Sequence, residues 1–149
     1  MLNATNPDLR TFQQRGGKLL VYHGWSDQNF SAQSTISYYE SVRDTVGIGQ
    51  IGNWLRLFLA PGMAHCGGGE GPNVFDPLTA LEEWVEHGQA PAEITASHQI
   101  GDRVDRTRPL CPDPPVAKYR GTGSIDEAVN FACHLPCCVE FPFSTRLED

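Results

Sequence analysis

Two short apolar runs, each followed by a polar loop that contains glycine, constrain the fold of this chain most strongly. Residues 18–22 lead into a loop that carries Asp27, and residues 54–60 lead into a loop that carries His65. Continuous apolar runs of this length are typical of strands that are covered on both faces, as in a parallel sheet. We therefore predict two strands with a carboxylate beyond the end of one and an imidazole beyond the end of the other.

Helical signals lie before, between and after the two runs. Three helices are predicted, each with a capping residue before it and a glycine after it: residues 7–15 after Asn6, residues 32–46 after Ser31, and residues 77–87 after Asp76. The third helix has a predicted apolar stripe of Leu78, Leu81, Trp84 and Val85. Alternating strands and helices predict an α/β fold, with two to three mostly parallel strands and flanking helices.

The last third of the chain has a different pattern. Residues 92–99 alternate between apolar and polar side chains, which predicts an edge strand. Four prolines follow, at positions 109, 112, 114 and 115. Because proline lacks a backbone N–H donor, this cluster predicts an irregular C-terminal region.

The placement of Asp27 and His65 favours acid–base chemistry. In open parallel sheets, functional side chains collect beyond the carboxyl ends of the strands, and neighbouring strands lie about 4.8 Å apart. A carboxylate there can hold one imidazole nitrogen, which leaves the other free to take a proton from a serine. An Asp followed by a His is also the closing half of the order Ser, Asp, His found in α/β-hydrolases.

The serine itself is not evident in this sequence. The G-x-S-x-G pentapeptide that marks such a nucleophile does not occur, and Ser26 lacks the second glycine. We therefore expect the nucleophile outside this chain. Simpler interpretations remain open, since Asp27 could merely close an Asx turn and His65 could be a solvated loop residue. Of the other histidines, His23 is interpreted as part of the loop structure, and His98 as a surface residue without a partner.

Six short segments, taken together, indicate a protein family more specifically than any single residue does. They are YHGWSD at residues 22–27, FSA at 30–32, LAPGMAHCGGG at 59–69, DPLTALEEW at 76–84, RPLCPDP at 108–114 and FAC at 131–133. With these segments the chain resembles the C-terminal part of the tannase and feruloyl esterase family. The resemblance implies that residues 1–133 are the C-terminal portion of an α/β-hydrolase domain, and it leaves residues 134–149 as an unassigned tail.

The resemblance also implies roles for individual residues. Asp27 becomes the acid and His65 the base of a Ser-His-Asp triad, and Phe30 becomes a contact for the substrate. Relatives carry the serine and a large lid in parts of the protein that are missing here. We therefore expect this chain alone to be inactive. Neither a cofactor nor a metal ligand is expected among these residues.

The cysteines follow the same resemblance. Five are present, at positions 66, 111, 133, 137 and 138, and an odd number leaves one without an internal partner. In the family, the cysteine beside the histidine is bridged to a cysteine beside the serine. Cys66 would therefore pair with a residue outside this chain, and Cys111 would pair with Cys133, which makes the irregular C-terminal region disulfide-bearing.

Composition narrows the choice of partners and compartment. The formal net charge of −7 argues against a nucleic-acid binder, and no apolar run is long enough to cross a membrane. Cysteines spread through loops rich in proline and glycine favour a secreted or periplasmic protein. No signal peptide is evident at the N-terminus. An unpaired strand edge at residues 18–22 would allow self-association.

The sequence thus predicts part of a serine carboxylic-ester hydrolase that acts on feruloyl-type or galloyl-type esters of aromatic acids. Two alternatives stay open. One is a non-catalytic remnant or binding module, and the other is a different α/β-hydrolase, such as a peptidase.

Overall fold

The computed structural model of the protein describes residues 4–49 and 51–136. Its helices and strands are α1 (Arg10–Gln14), β1 (Leu19–Gly24), α2 (Ala32–Val46), β2 (Leu55–Ala60), α3 (Pro77–His87), β3 (Ile94–Ile100), β4 (Arg103–Leu110), β5 (Val116–Tyr119) and β6 (Phe131–His134). Short 3-10 turns precede β2 and β6. The first five elements alternate between helix and strand as predicted.

The strands β1 and β2 pair in parallel, as the apolar runs predicted. Their register aligns Leu19 with Leu55 and Gly24 with Ala60, so both strands end at the same edge. Side chains of β2 enter two separate cores, with Leu57 on one face and Phe58 on the other, and both are fully buried. Because both faces of β2 are buried, its sequence is a nearly continuous apolar run and does not alternate with polar residues. Among the described residues, β1 pairs only with β2, which leaves one of its edges unpaired.

The predicted caps of the two long helices are confirmed. The Ser31 hydroxyl accepts a hydrogen bond from the amide of Gln33 at the start of α2. The Asp76 carboxylate accepts from two amides at the start of α3, and Gly88 ends that helix in the left-handed region. The apolar stripe of α3 is narrower than predicted. Trp84 is buried, with the Lys18 ammonium and the Arg56 guanidinium near its ring, whereas Leu78 and Val85 are exposed.

The first helix is shorter than predicted, because it begins at Arg10 and not at Pro7. The side chain of Asn6 accepts a hydrogen bond from the amide of Asp8, and the Asp8 carboxylate binds Arg10. These local bonds hold residues 6–9 in turns that compete with a helix.

The prediction of an irregular C-terminal region is wrong. β3 and β4 form an antiparallel hairpin, and β5 and β6 form a second one, so only β1 and β2 run parallel in the described residues. Pro109 lies within β4, opposite Thr95. A proline is tolerated there because β4 has only one partner strand among the described residues, and an edge strand does not need every N–H donor.

A disulfide joins Cys111, directly after β4, to Cys133 in β6, and this is the pair that the resemblance implies. Their sequence separation is 22 residues. Closing a loop of this length contributes about 3 kcal/mol to stability in the chain-entropy model. Cys137 and Cys138 lie outside the described residues.

Candidate active site

The ends of β1 and β2 bring two loops into direct contact. The amide of Trp25 donates to the carbonyl of Ala60, and the amide of Ser26 donates to the carbonyl of Met63, each at 3.0 Å. Gly24 allows this approach, because a Cβ atom at that position would collide with the Met63 carbonyl. The loop after β1 and the loop after β2 therefore form one surface.

Asp27 and His65 meet on this surface. The Nδ1 atom of His65 lies 2.8 Å from Oδ2 of Asp27. A carboxylate can only accept a hydrogen bond, so Nδ1 of His65 carries the proton. The Asp27 side chain is only 5% exposed, whereas that of His65 is 40% exposed. The carboxylate is thus held in place while the imidazole stays accessible, and Nε2 of His65 makes no hydrogen bond to a described residue.

The other carboxylate oxygen of Asp27, Oδ1, binds backbone amides. Oδ1 accepts hydrogen bonds from the amides of Asn29 at 2.8 Å and Phe30 at 3.0 Å, which is an Asx turn. The Asx turn of the simpler interpretation is therefore present on one oxygen, and the contact with His65 is made by the other. Burial raises the pKa of Asp27, but the hydrogen bonds from His65 and the two amides outweigh it and lower the pKa to about 2. Asp27 is an anion at neutral pH.

His23 lies behind this pair, at the end of β1. Its Nδ1 atom is 2.8 Å from the hydroxyl of Thr35, and its Nε2 atom is 3.1 Å from the carbonyl of Phe30. Nε2 is also 3.4 Å from Oδ2 of Asp27. The interpretation of His23 as part of the loop structure fits these contacts.

Phe30 presents its ring to solvent beside the imidazole of His65. The centroids of the two rings are 5.4 Å apart, and Phe30 is 63% exposed. A cleft of about 710 Å³ connects this point to the unpaired edge of β1, and its walls include Leu19, Val21, Asp27 and His65. A concave, mostly apolar cleft with a few polar groups is typical of a small-molecule site.

The loop that carries His65 turns sharply directly after the histidine. Cys66 has a φ of 59°, and the three glycines at 67–69 also have positive φ. Two side chains from later parts of the sequence form hydrogen bonds with the backbone of this loop. The Asn73 carboxamide accepts from the amide of Gly68 at 3.1 Å, and the Arg106 guanidinium donates to the carbonyl of Glu70. The position of His65 therefore depends on residues far from it in sequence.

Comparison with known proteins identifies the family. The sequence profile described as "Tannase and feruloyl esterase" matches residues 1–134. The chain belongs to the tannase and feruloyl esterase family. It is 50% identical over 136 residues to mono(2-hydroxyethyl) terephthalate hydrolase of Piscinibacter sakaiensis, covering 89% of this chain and 22% of that protein. It is 40% identical over 134 residues to a probable feruloyl esterase of Arthroderma benhamiae, covering 87% of this chain and 25% of that protein.

A solved structure of the same family has a similar fold. The crystal structure of feruloyl esterase B from Aspergillus oryzae matches with a TM-score of 0.79 and 33% identity, over 87% of this chain and 29% of that one. The chain thus spans less than a third of the length of the tannase and feruloyl esterase relatives it matches.

Cys66, beside His65, is exposed and has no disulfide partner among the described residues. Its pairing with a cysteine elsewhere in a tannase-like protein stays a prediction. Within residues 4–49 and 51–136, no cluster of three or more His, Cys, Asp or Glu residues could hold a metal ion. No helix in the same residues is long and apolar enough to cross a bilayer.

The prediction that His98 is a surface residue without a partner is wrong. Its Nδ1 atom lies 2.6 Å from Oδ1 of Asp105, and its side chain is only 14% exposed. The hydrogen bond from His98 lowers the pKa of Asp105. A hairpin signal could have found this pair, because Gly101 and Asp102 form the turn between β3 and β4, but the prolines that follow obscured the second strand.

Proposed function

We propose that this chain is part of a serine carboxylic-ester hydrolase, in which Asp27 is the acid and His65 the base of a Ser-His-Asp triad. The observation that carries the proposal is the 2.8 Å contact between Nδ1 of His65 and Oδ2 of Asp27 at the ends of adjacent parallel strands. The esterase relatives support the type of reaction.

The geometry suits the two proton transfers of ester hydrolysis. Nε2 of His65 takes the proton of the serine hydroxyl as the serine oxygen attacks the ester carbonyl. The same nitrogen then gives the proton to the departing alkoxide, and water repeats the cycle to release the acid. Asp27 stabilises the imidazolium that forms in each step, and it stays ionised because its pKa is about 2.

The serine belongs, in this proposal, to a part of the protein that precedes residue 1. No G-x-S-x-G pentapeptide occurs in the 149 residues, and the chain covers only 22–29% of its relatives. The unpaired edge of β1 offers a place for the neighbouring strand of an α/β-hydrolase sheet, which would fill the part of the cleft along Leu19 and Val21 and leave the part beside His65 for the substrate. Residues 1–133 would then complete that sheet at its C-terminal end, and residues 134–149 stay unassigned.

The proposed substrates are esters of aromatic acids. Phe30 supports this proposal, because its exposed ring lies beside His65 and can stack on a planar acyl group. The relatives are named for terephthalate and feruloyl esters, which share such a group. We also propose a secreted or periplasmic location, since the Cys111–Cys133 disulfide needs an oxidising compartment.

One observation favours a second candidate function. Because the chain has an open cleft but no nucleophile motif, it could act by itself as a binding module for the same aromatic acids. Such a module would bind ferulate without hydrolysing its esters.

An esterase assay distinguishes the two candidates. Methyl ferulate and methyl gallate are offered to residues 1–149 and to the full-length protein, meaning these residues together with the chain that our proposal places before them. We expect hydrolysis only by the full-length protein, and loss of that hydrolysis in the His65→Ala variant. Hydrolysis by residues 1–149 alone, or activity that survives His65→Ala, would refute the proposal.

A further inference from the structure

His23 is the histidine that the proposed mechanism leaves without a role. It is the next-to-last residue of β1, and its side chain is only 14% exposed. Both ring nitrogens are engaged, by the Thr35 hydroxyl on α2 and by the Phe30 carbonyl in the loop after β1. The ring thus connects the helix behind the cleft to the loop in front of it.

One partner of His23 requires a proton on Nε2. The carbonyl oxygen of Phe30 can only accept, so Nε2 must carry a proton. Nδ1 can then accept a hydrogen bond from the Thr35 hydroxyl, which can act as a donor or as an acceptor. A neutral imidazole with its proton on Nε2 satisfies both hydrogen bonds, and the same N–H faces Oδ2 of Asp27 at 3.4 Å.

The consequence for Phe30 is that its backbone is held on both sides. Its amide donates to Oδ1 of Asp27 at 3.0 Å, and its carbonyl accepts from Nε2 of His23 at 3.1 Å. An exposed aromatic residue in a loop would normally sample many orientations. Here the two peptide units that flank its Cα atom are fixed, which sets the direction of the Cα–Cβ bond and limits the positions that the ring can reach to those beside His65.

We propose that His23 is a positioning residue that holds Phe30 beside His65 and so selects substrates with a planar aromatic acyl group. The inference deepens the proposed function and rests on it for its catalytic consequence. His23 also lines the cleft, but in this proposal it acts through the Phe30 carbonyl and not on the reacting atoms. Its loss should therefore weaken the binding of aromatic substrates more than it slows the proton transfers.

The kinetic test compares His23→Leu with His23→Gln in the full-length protein. Leucine removes the N–H donor, whereas the glutamine carboxamide can place an N–H near the position of Nε2. For His23→Leu we expect KM for methyl ferulate to rise about tenfold, which is the upper range for one neutral hydrogen bond, and kcat to change less than about threefold. His23→Gln should stay within about threefold of the wild type in both constants. For methyl butyrate, which has no ring, KM should not change in either variant.

His98→Leu is the matched control for a purely structural effect. His98 is as buried as His23, it also has a carboxylate partner, and it does not line the cleft. His98→Leu should leave both constants for methyl ferulate unchanged. Equal kinetic effects of the two leucine variants, or a fall in kcat alone for His23→Leu, would overturn the inference.

A spectroscopic test separates this inference from the proposed function. In the ¹⁵N-labelled protein, we expect Nε2 of His23 to carry a proton, and the rings of Phe30 and His65 to show a nuclear Overhauser contact. The contact should disappear in His23→Leu and persist in His23→Gln and His98→Leu. If the full-length wild type hydrolyses no ester, the proposed function fails, yet these signals still decide the role of His23. The absence of a proton on Nε2, or a contact that survives His23→Leu, would refute that role.

Discussion

Replacing Asp27 by asparagine tests the proposed triad most directly, because the two carboxylate oxygens have separate tasks. Oδ1 closes the Asx turn with the amides of Asn29 and Phe30, and Oδ2 holds Nδ1 of His65. Asparagine keeps one oxygen and changes the other to an NH₂ group. The substitution therefore alters the partner of His65 while it can leave the loop intact.

The structure determines which way the new carboxamide points. With its oxygen toward the two amides, it keeps the Asx turn and forces Nδ1 of His65 to become an acceptor. The flipped orientation would place the NH₂ group against two N–H donors and lose both of those hydrogen bonds. At about 1 kcal/mol for each bond, the flipped form is disfavoured roughly thirtyfold.

Both orientations impair the base. In the favoured one, the proton of the neutral imidazole lies on Nε2, so that this nitrogen cannot accept the proton of a serine. In the flipped orientation, Nδ1 of His65 keeps its proton and the tautomer is correct. A neutral amide stabilises the imidazolium less than a carboxylate does, however, which lowers kcat by roughly another 30- to 100-fold. The product of the two factors predicts that kcat falls by about 1,000- to 3,000-fold, which is close to the loss expected when the acid of such a triad becomes an amide.

The assay measures kcat for methyl ferulate with the full-length protein and its Asp27→Asn variant. Asp105→Asn is the matched control, because Asp105 also binds a histidine Nδ1 atom but lies outside the cleft. We expect the control to keep the kcat of the wild type, and Asp27→Asn to stay folded with a lower melting temperature, because the low pKa of Asp27 means that its ionised form stabilises the folded state. The reasoning is refuted if Asp27→Asn keeps kcat within tenfold of the wild type, or if the control loses as much activity.

Three further predictions concern stability and assembly. Burial raises the pKa of Asp113 above its usual 3.8, so its ionisation destabilises the folded state as pH rises through that range. Asp113→Asn should thus be more stable than the wild type at neutral pH but not at about pH 3, and equal urea midpoints of the two proteins at neutral pH would contradict this. Replacing Cys111 and Cys133 together by serine should lower the free energy of unfolding by about 3 kcal/mol, whereas an unchanged urea midpoint would show that the disulfide does not stabilise the fold. Residues 1–149 alone should associate through the unpaired edge of β1, so size-exclusion chromatography that shows a monomer at every concentration would count against that expectation.

The sequence alone determined the parts of the fold that depend on local pattern. The apolar runs predicted β1 and β2, and Ser31 and Asp76 marked the starts of two helices, because a cap acts within a few residues. Since parallel strands end at a common edge, the same pattern also placed Asp27 near His65. The contact between these two side chains could therefore be predicted from the sequence, whereas their role in a triad stays a proposal.

Only the tertiary structure decided how the side chains divide their contacts. Sequence patterns did not indicate that the two oxygens of Asp27 serve different partners, or that His23 reaches the Phe30 carbonyl. They also missed the strands around Pro109. A proline fits an edge strand, but whether β4 is an edge strand becomes known only when its pairing with β3 is known. These features depend on the direction in which a side chain or an edge points, and that direction is set by residues distant in the chain.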